Sequence, residues 1–132
     1  MATILVVDDE PDLREILVRV VESVGHEVVS ASDGATAVAR ARERRPALMI
    51  LDLMMPGTDG FEVLRSMRDD PELERVPVVV YTALSDPVSR QRAFGLGARG
   101  YMVKNDVGIK DLRELVDHYA GAGHGADTGS AA

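Results

Sequence analysis

Cysteine and tryptophan are absent from this 132-residue chain. Without thiols there is no disulfide, no zinc–thiolate centre and no cysteine nucleophile. Basic residues are in the minority, 15 Lys and Arg against 22 Asp and Glu, for a net charge of -7. That balance argues against direct nucleic-acid binding, which depends on neutralising phosphates. No apolar run approaches the length of a membrane span. The first residues, MATILVV, carry no Lys or Arg and meet an acidic cluster at Asp8, unlike a signal peptide. The expectation is a cytoplasmic protein with no membrane partner. What is present, 45% hydrophobic and 28% charged residues, suits one globular domain with one core.

Two kinds of segment alternate. Short apolar runs occur at 3–7, 27–31, 47–51, 77–82 and 100–103; several are rich in β-branched residues and apolar on both faces, as in parallel strands covered on both sides. Between them lie helical spacings. Leu13, Ile16, Leu17, Val20, Val21 and Val24 form one apolar stripe on a helix ending near Gly25. Residues 33–45 read as a helix with a small Ala and Val face and an arginine-rich exterior. Asp59, and Asp86 followed by Pro87, are placed to cap the next two helices. Leu112, Leu115, Val116 and Tyr119 mark the last. Five β-α units imply an α/β, doubly wound parallel sheet with helices on both faces. The final residues, rich in Gly, Ala and polar side chains, read as a disordered tail at 122–132 after a domain spanning 1–121.

Polar residues interrupt this pattern where strands end. The first strand stops at Asp8, Asp9 and Glu10, the third at Asp52, the fourth at Thr82 and the fifth at Lys104, while the second ends in Ser30, Ser32 and Asp33. Open parallel sheets bind ligands outside those ends. Asp8, Asp9 and Asp52 then become neighbours whose mutual repulsion raises at least one pKa. A divalent cation relieves that repulsion, and an oxygen-only ligand set favours Mg²⁺ over zinc. Lys104 adds a positive charge and Thr82 a hydroxyl, surroundings that suit a transferring phosphoryl group, which a carboxylate can accept. Singly, each residue has a plainer reading: Asp8 to Glu10 as the acidic first turn of a helix, Thr82 as an ordinary strand residue, Lys104 as a solvated lysine. Their conjunction on one edge points to a site.

The stretches ILVVDDEPDLRE, LMILDLMMPGTDGFEVL, VVVYTA and GARGYMVKN resemble the response-regulator receiver domains of two-component signalling, single-domain chemotaxis regulators among them. The resemblance covers roughly residues 3 to 120, and the middle block matches the D-x-x-M-P-G-x-D-G pattern at each defined position. It implies a flavodoxin-like fold with strand order 2-1-3-4-5 and the following roles. Asp52 is the phosphoacceptor. Asp9 and Asp8 bind Mg²⁺, directly and through water, together with Asp52 and the backbone carbonyl of Met54. Thr82 and Lys104 bind phosphoryl oxygens, and Tyr101 turns inward on activation. Partners would be a histidine kinase or phosphotransfer protein and a downstream target the sequence leaves open. The protein would be a regulator that catalyses only its own phosphorylation and dephosphorylation.

Two departures matter. Asn105 follows Lys104 where the family usually has a proline after a cis bond. A cis bond before a non-proline costs ~3–4 kcal/mol, so a trans bond with a rebuilt loop is expected, with Asn105 or Asp106 as a candidate cap of the final helix. Met54 and Leu84, two residues beyond Asp52 and Thr82, cannot hold an attacking water by hydrogen bonding, so slow self-dephosphorylation is expected. His26, His118 and His124 lack metal-ligand spacing and read as surface or tail residues, and the arginines at 40–45 as a solvated face. Rival readings are an unphosphorylated binding module, an Mg²⁺-dependent phosphohydrolase, which would want an acid where Met54 stands, and a flavin carrier, which the acidic edge disfavours.

Overall fold

The β-branched runs form strands and the 3.6-periodic runs form helices, in strict alternation. The computed structural model describes residues 2–57 and 59–125. In chain order the elements are β1 (Thr3–Val7), α1 (Pro11–Ser23), β2 (Glu27–Ala31), α2 (Gly34–Arg44), β3 (Leu48–Leu51), α3 (Gly60–Asp69), β4 (Val78–Thr82), α4 (Pro87–Gly95), β5 (Gly100–Val103), a 3₁₀ turn (Lys104–Asp106) and α5 (Ile109–Gly125). All four strand pairings are parallel, in the order β2-β1-β3-β4-β5. This is the doubly wound, flavodoxin-like arrangement expected from the sequence.

Period-2 alternation splits the core into two layers. Leu5, Val7, Met49 and Leu51 face Ala37 and Ala41 of α2 and Phe61, Leu64 and Met67 of α3. Ile4, Val6, Leu48 and Ile50 face Leu17 and Val21 of α1 and Leu112 and Val116 of α5. Every residue of β3 and β4 is buried, which is why these segments read as continuous apolar runs. Helix starts follow capping chemistry. Asp33, Asp59 and Asp86 each accept backbone N–H bonds at the starts of α2, α3 and α4, and Glu62 completes a capping box with Asp59.

Several boundaries and contacts differ from expectation. The α1 stripe is narrower: Leu17, Val20 and Val21 are buried, but Ile16 is 45% exposed, because it lies at the helix flank beside Ile109 in a groove open to solvent. The arginines after Arg40 are exposed but not merely solvated. Arg42, Arg44 and Arg45 pair with Asp70, Glu27 and Glu72, contacts that contribute little individually at a surface. No cis peptide bond occurs among the described residues, so the Lys104–Asn105 bond is trans, as expected. Residues 104–106 wind into the 3₁₀ turn instead, which removes Asn105 and Asp106 as caps of α5. At that start the Gly108 N–H donates to Asp111. Helix α5 runs on to Gly125, past the expected domain end at 121. The rest of the proposed tail, residues 126–132, lies outside the described residues, as does the His124 side chain. His118 is exposed, edge-on to Tyr119, while His26 Nδ1 accepts the Ala2 N–H. No helix among the described residues is long and apolar enough to cross a membrane.

Candidate functional site

Strand register assembles the site. Val7 pairs with Leu51, so the next residue of each strand, Asp8 and Asp52, emerges side by side. The ladder continues one step beyond the strands: Asp52 N donates to Val7 O at 3.0 Å and Asp8 N to Ala31 O at 3.1 Å. Both acids are therefore held by backbone bonds where the sheet opens. Asp8 is fully buried and Asp52 is 4% exposed, and carboxylate oxygens of Asp8, Asp9 and Asp52 lie within 4.8 Å of one another. Asp9 is only partly buried, leaving one open side.

Lys104 reaches this cluster from the far end of β5. Its ammonium donates to Asp8 Oδ2 at 3.0 Å and Asp52 Oδ2 at 3.2 Å, lies 3.7 Å from Glu10 Oε1, and passes 5.7 Å from the Tyr81 ring centroid. Burial works to lower the Lys104 pKa, but hydrogen bonding to Asp8 and the charges of Asp52 and Asp8 outweigh it and raise it. For Asp8, by contrast, the sign follows burial, which raises its pKa against the Glu10 N–H and Lys104, which lower it. The charge of Asp52 is the smallest contributor, so desolvation, rather than the repulsion expected from sequence, dominates the shift.

Three carboxyl groups face one ammonium in the cleft. Its donors are oxygens alone, without His or Cys. This set fits a hard divalent cation. Met54 N donates to Asp52 Oδ1 at 3.1 Å, fixing one carboxylate oxygen while Lys104 fixes the other.

On the β4–β5 side, Thr82 is fully buried and its Oγ accepts the Leu84 N–H at 3.4 Å. Tyr101 is 9% exposed and its hydroxyl donates to Leu84 O at 2.9 Å. The Leu84 peptide thus touches both residues that the sequence singled out as a switch.

A sequence profile of the response regulator receiver domain matches residues 4–117. The chain belongs to this receiver family. Among relatives, PilH of Pseudomonas aeruginosa is 36% identical over 104 residues, covering 79% of this chain and 86% of PilH. The gliding motility regulatory protein of Myxococcus xanthus is 32% identical over 114 residues, 86% of this chain, but the chain spans only 15% of that longer protein. The chemotaxis protein CheY4 of Vibrio cholerae superposes with a TM-score of 0.83 at 29% identity, covering 90% of this chain and 98% of CheY4. Receiver domains are response-regulator signalling modules that bind Mg²⁺ at an acidic cluster of this kind.

In this receiver domain, Asp8, Asp9, Asp52 and Lys104 meet in one cleft, with Met54 at its rim and Thr82 and Tyr101 on its β4–β5 flank. Sequence reasoning did not assign the parts that four residues play here. Glu10 donates its N–H to Asp8 Oδ1 and places its carboxylate 3.7 Å from the Lys104 ammonium. The Arg14 guanidinium donates to Asp8 O at 2.7 Å. Leu84 contributes through its backbone alone. Gly60 packs so tightly that a Cβ there would sit 2.5 Å from Leu53 Cα and 2.7 Å from Asp52 O. Only the glycine was legible, as part of the acceptor-loop pattern; the others act through backbone atoms or distant charges that spacing does not reveal.

Proposed function

We propose that the chain is a phosphoacceptor switch in which Asp52 takes a phosphoryl group from a phosphohistidine of a kinase or phosphotransfer protein. One observation carries this reading: a nearly buried carboxylate at a strand end, with both oxygens oriented by hydrogen bonds, Lys104 at 3.2 Å and two further acids within 4.8 Å. A carboxylate oxygen of Asp52 attacks phosphorus, the P–N bond breaks, and the imidazole leaves with the electron pair. Lys104, already held in the cleft by Asp8, stays beside the incoming phosphoryl oxygens and offsets their charge. Thr82 turns its hydroxyl from the Leu84 N–H to a phosphoryl oxygen. Asp8, Asp9, Asp52 and the Met54 carbonyl would hold Mg²⁺, which supplies charge neutralisation for phosphoryl transfer.

The output follows from the Leu84 peptide. Thr82 engages its N–H and Tyr101 its carbonyl, so drawing Thr82 toward Asp52 changes the backbone against which Tyr101 is seated. The face formed by α4, β5 and α5 then shifts population between two arrangements with different affinities for a downstream protein.

Incubation with a small acyl-phosphate donor and Mg²⁺, followed by intact mass, tests the reading. A mass gain of one phosphoryl group that disappears in Asp52→Asn supports it. No gain with any donor would leave a receiver used as an unphosphorylated binding module.

A further inference from the structure

We infer that a second anion site, for phosphate or a phosphomonoester, lies beside the acceptor cleft, where Arg14 and Arg40 flank the hydroxyls at the end of β2. The opening is about 280 Å³ and is lined by Arg14, Ser30, Ala31, Ser32, Thr36 and Arg40. In a chain of net charge -7, this wall presents two guanidiniums, three hydroxyls and no carboxylate.

Three features make it a binding site rather than a solvated face. Neither arginine has a carboxylate partner among the described residues, so both guanidiniums keep donors for an incoming anion. Asp33, next in the chain to the lining residue Ser32, turns its oxygens to the Thr36 N–H and hydroxyl at 2.8 and 3.1 Å. Its oxygens serve first to cap α2, with the Arg40 charge a lesser influence on them, and Ser30 and Ser32 remain as the hydroxyl donors. The guanidiniums also come from different elements, Arg14 from α1 and Arg40 from α2, and converge on one opening. A tetrahedral dianion offers several oxygens and so can pair bidentately with planar guanidiniums while accepting from hydroxyls, a geometry a spherical monovalent halide does not match.

The position gives such a ligand a consequence. Arg14 is bonded to Asp8 O, and Asp8 N is bonded to Ala31 O at the pocket wall. An anion bridging Arg14 and Arg40 tightens the backbone that presents Asp8 to the acceptor cleft. By linkage, anion binding and occupancy of the cleft then influence each other.

The test is an amide NMR titration of the full chain, free of Mg²⁺, with inorganic phosphate and separately with O-phosphoserine, against chloride at matched ionic strength. The expected result is saturable shifts at residues 30–36 and at the Arg14 and Arg40 side chains, absent in chloride. Arg40→Gln, on an exposed helix position, should weaken binding by about three- to tenfold, the order expected for the net loss of one hydrogen bond at a solvated site. Arg14→Gln should do the same, and Arg65→Gln should not. Tighter binding of inorganic phosphate marks a free-anion site; tighter binding of phosphoserine marks a phosphorylated side chain as the ligand. Shifts confined to Asp8, Asp52 and Lys104, shifts that chloride reproduces, or an unchanged titration in Arg40→Gln would each overturn the inference.

Discussion

Replacing Gly60 with alanine sets two effects against each other. Alanine is favoured over glycine in a helix by about 0.4–1 kcal/mol, chiefly because it restricts the unfolded chain. Gly60 opens α3, so this gain would apply if space were available. It is not, because the new Cβ would lie 2.5 Å from Leu53 Cα and 2.7 Å from Asp52 O. Both obstacles are backbone, so no side chain can rotate away, and relief requires α3 and the acceptor loop to separate by roughly an ångström. Overpacking of this kind costs typically about 1–3 kcal/mol, and separation strains the Gly60 N to Leu53 O bond, now 3.0 Å, at up to about 1 kcal/mol more. The net expectation is a loss of about 1–3 kcal/mol, a Tm lower by roughly 3–6 °C per kcal/mol for a domain of this size. Because the strain falls on Asp52 and Leu53, phosphoryl uptake should also slow by about ten- to a hundredfold, the range an ångström of misplacement can produce. Urea denaturation followed by far-ultraviolet circular dichroism measures the first effect and intact mass against time the second. Gly95→Ala is the control. Its Cβ meets nothing within 4 Å and its φ is not positive, so it should stabilise by about 0.4–1 kcal/mol. A Gly60→Ala protein as stable as the parent, alongside a stabilised Gly95→Ala, would refute the steric argument.

Three further predictions follow from the site. With Met54 half exposed at the rim and Leu84 apolar, the phosphorylated form should be long-lived, and Met54→Asn or Met54→Glu should speed phosphate loss by about tenfold or more; unchanged decay in both variants counts against it. The chain has only two lysines, Lys104 and Lys110. The Lys104 side chain is 13% exposed and its amine has a raised pKa, so amine-reactive acylation mapped by peptide mass should reach it more slowly than exposed Lys110, and Asp8→Asn should narrow the gap about severalfold; equal rates in the parent would contradict the buried ion-pair geometry. Asp33 and Asp86 have lowered pKa values, first because the Thr36 and Ser89 N–H groups bind their charged forms. Their stabilisation is present above the unfolded value of about 3.9 and is lost as pH falls through the folded values. Asp8, with a raised pKa, contributes with the opposite sign, so the measurement is a difference: between pH about 5 and 3, the Asp33→Asn/Asp86→Asn protein should lose less stability than the parent, and equal losses would remove the caps as the cause.

Much of this protein was legible because local chemistry and tertiary structure agree. Residues 48–51 and 78–82 are apolar on both faces because they are central strands, covered by helices on each side. Asp59 and Asp86 read as caps because a short side chain reaches its own helix N–H groups within three residues, a purely local interaction. Asp8, Asp52, Thr82 and Lys104 stood out because each ends an apolar run, and parallel strands bring their ends to one edge. The rest depended on contacts far apart in the chain. Spacing could not show that Ile16 lies outside the buried stripe, since that depends on where α5 starts. Nor could it show that Arg42 and Arg45 cross to Asp70 and Glu72, or that the Leu84 peptide connects Thr82 to Tyr101. The sequence by itself determined the order of elements and the chemistry available at the sheet edge, both set by side-chain polarity and period. Only the tertiary structure decided that Asp8 is buried, that Lys104 bridges it to Asp52, and that Gly60 leaves no room for a methyl group. Those facts arise from strand register and helix approach, which no single stretch of the chain encodes.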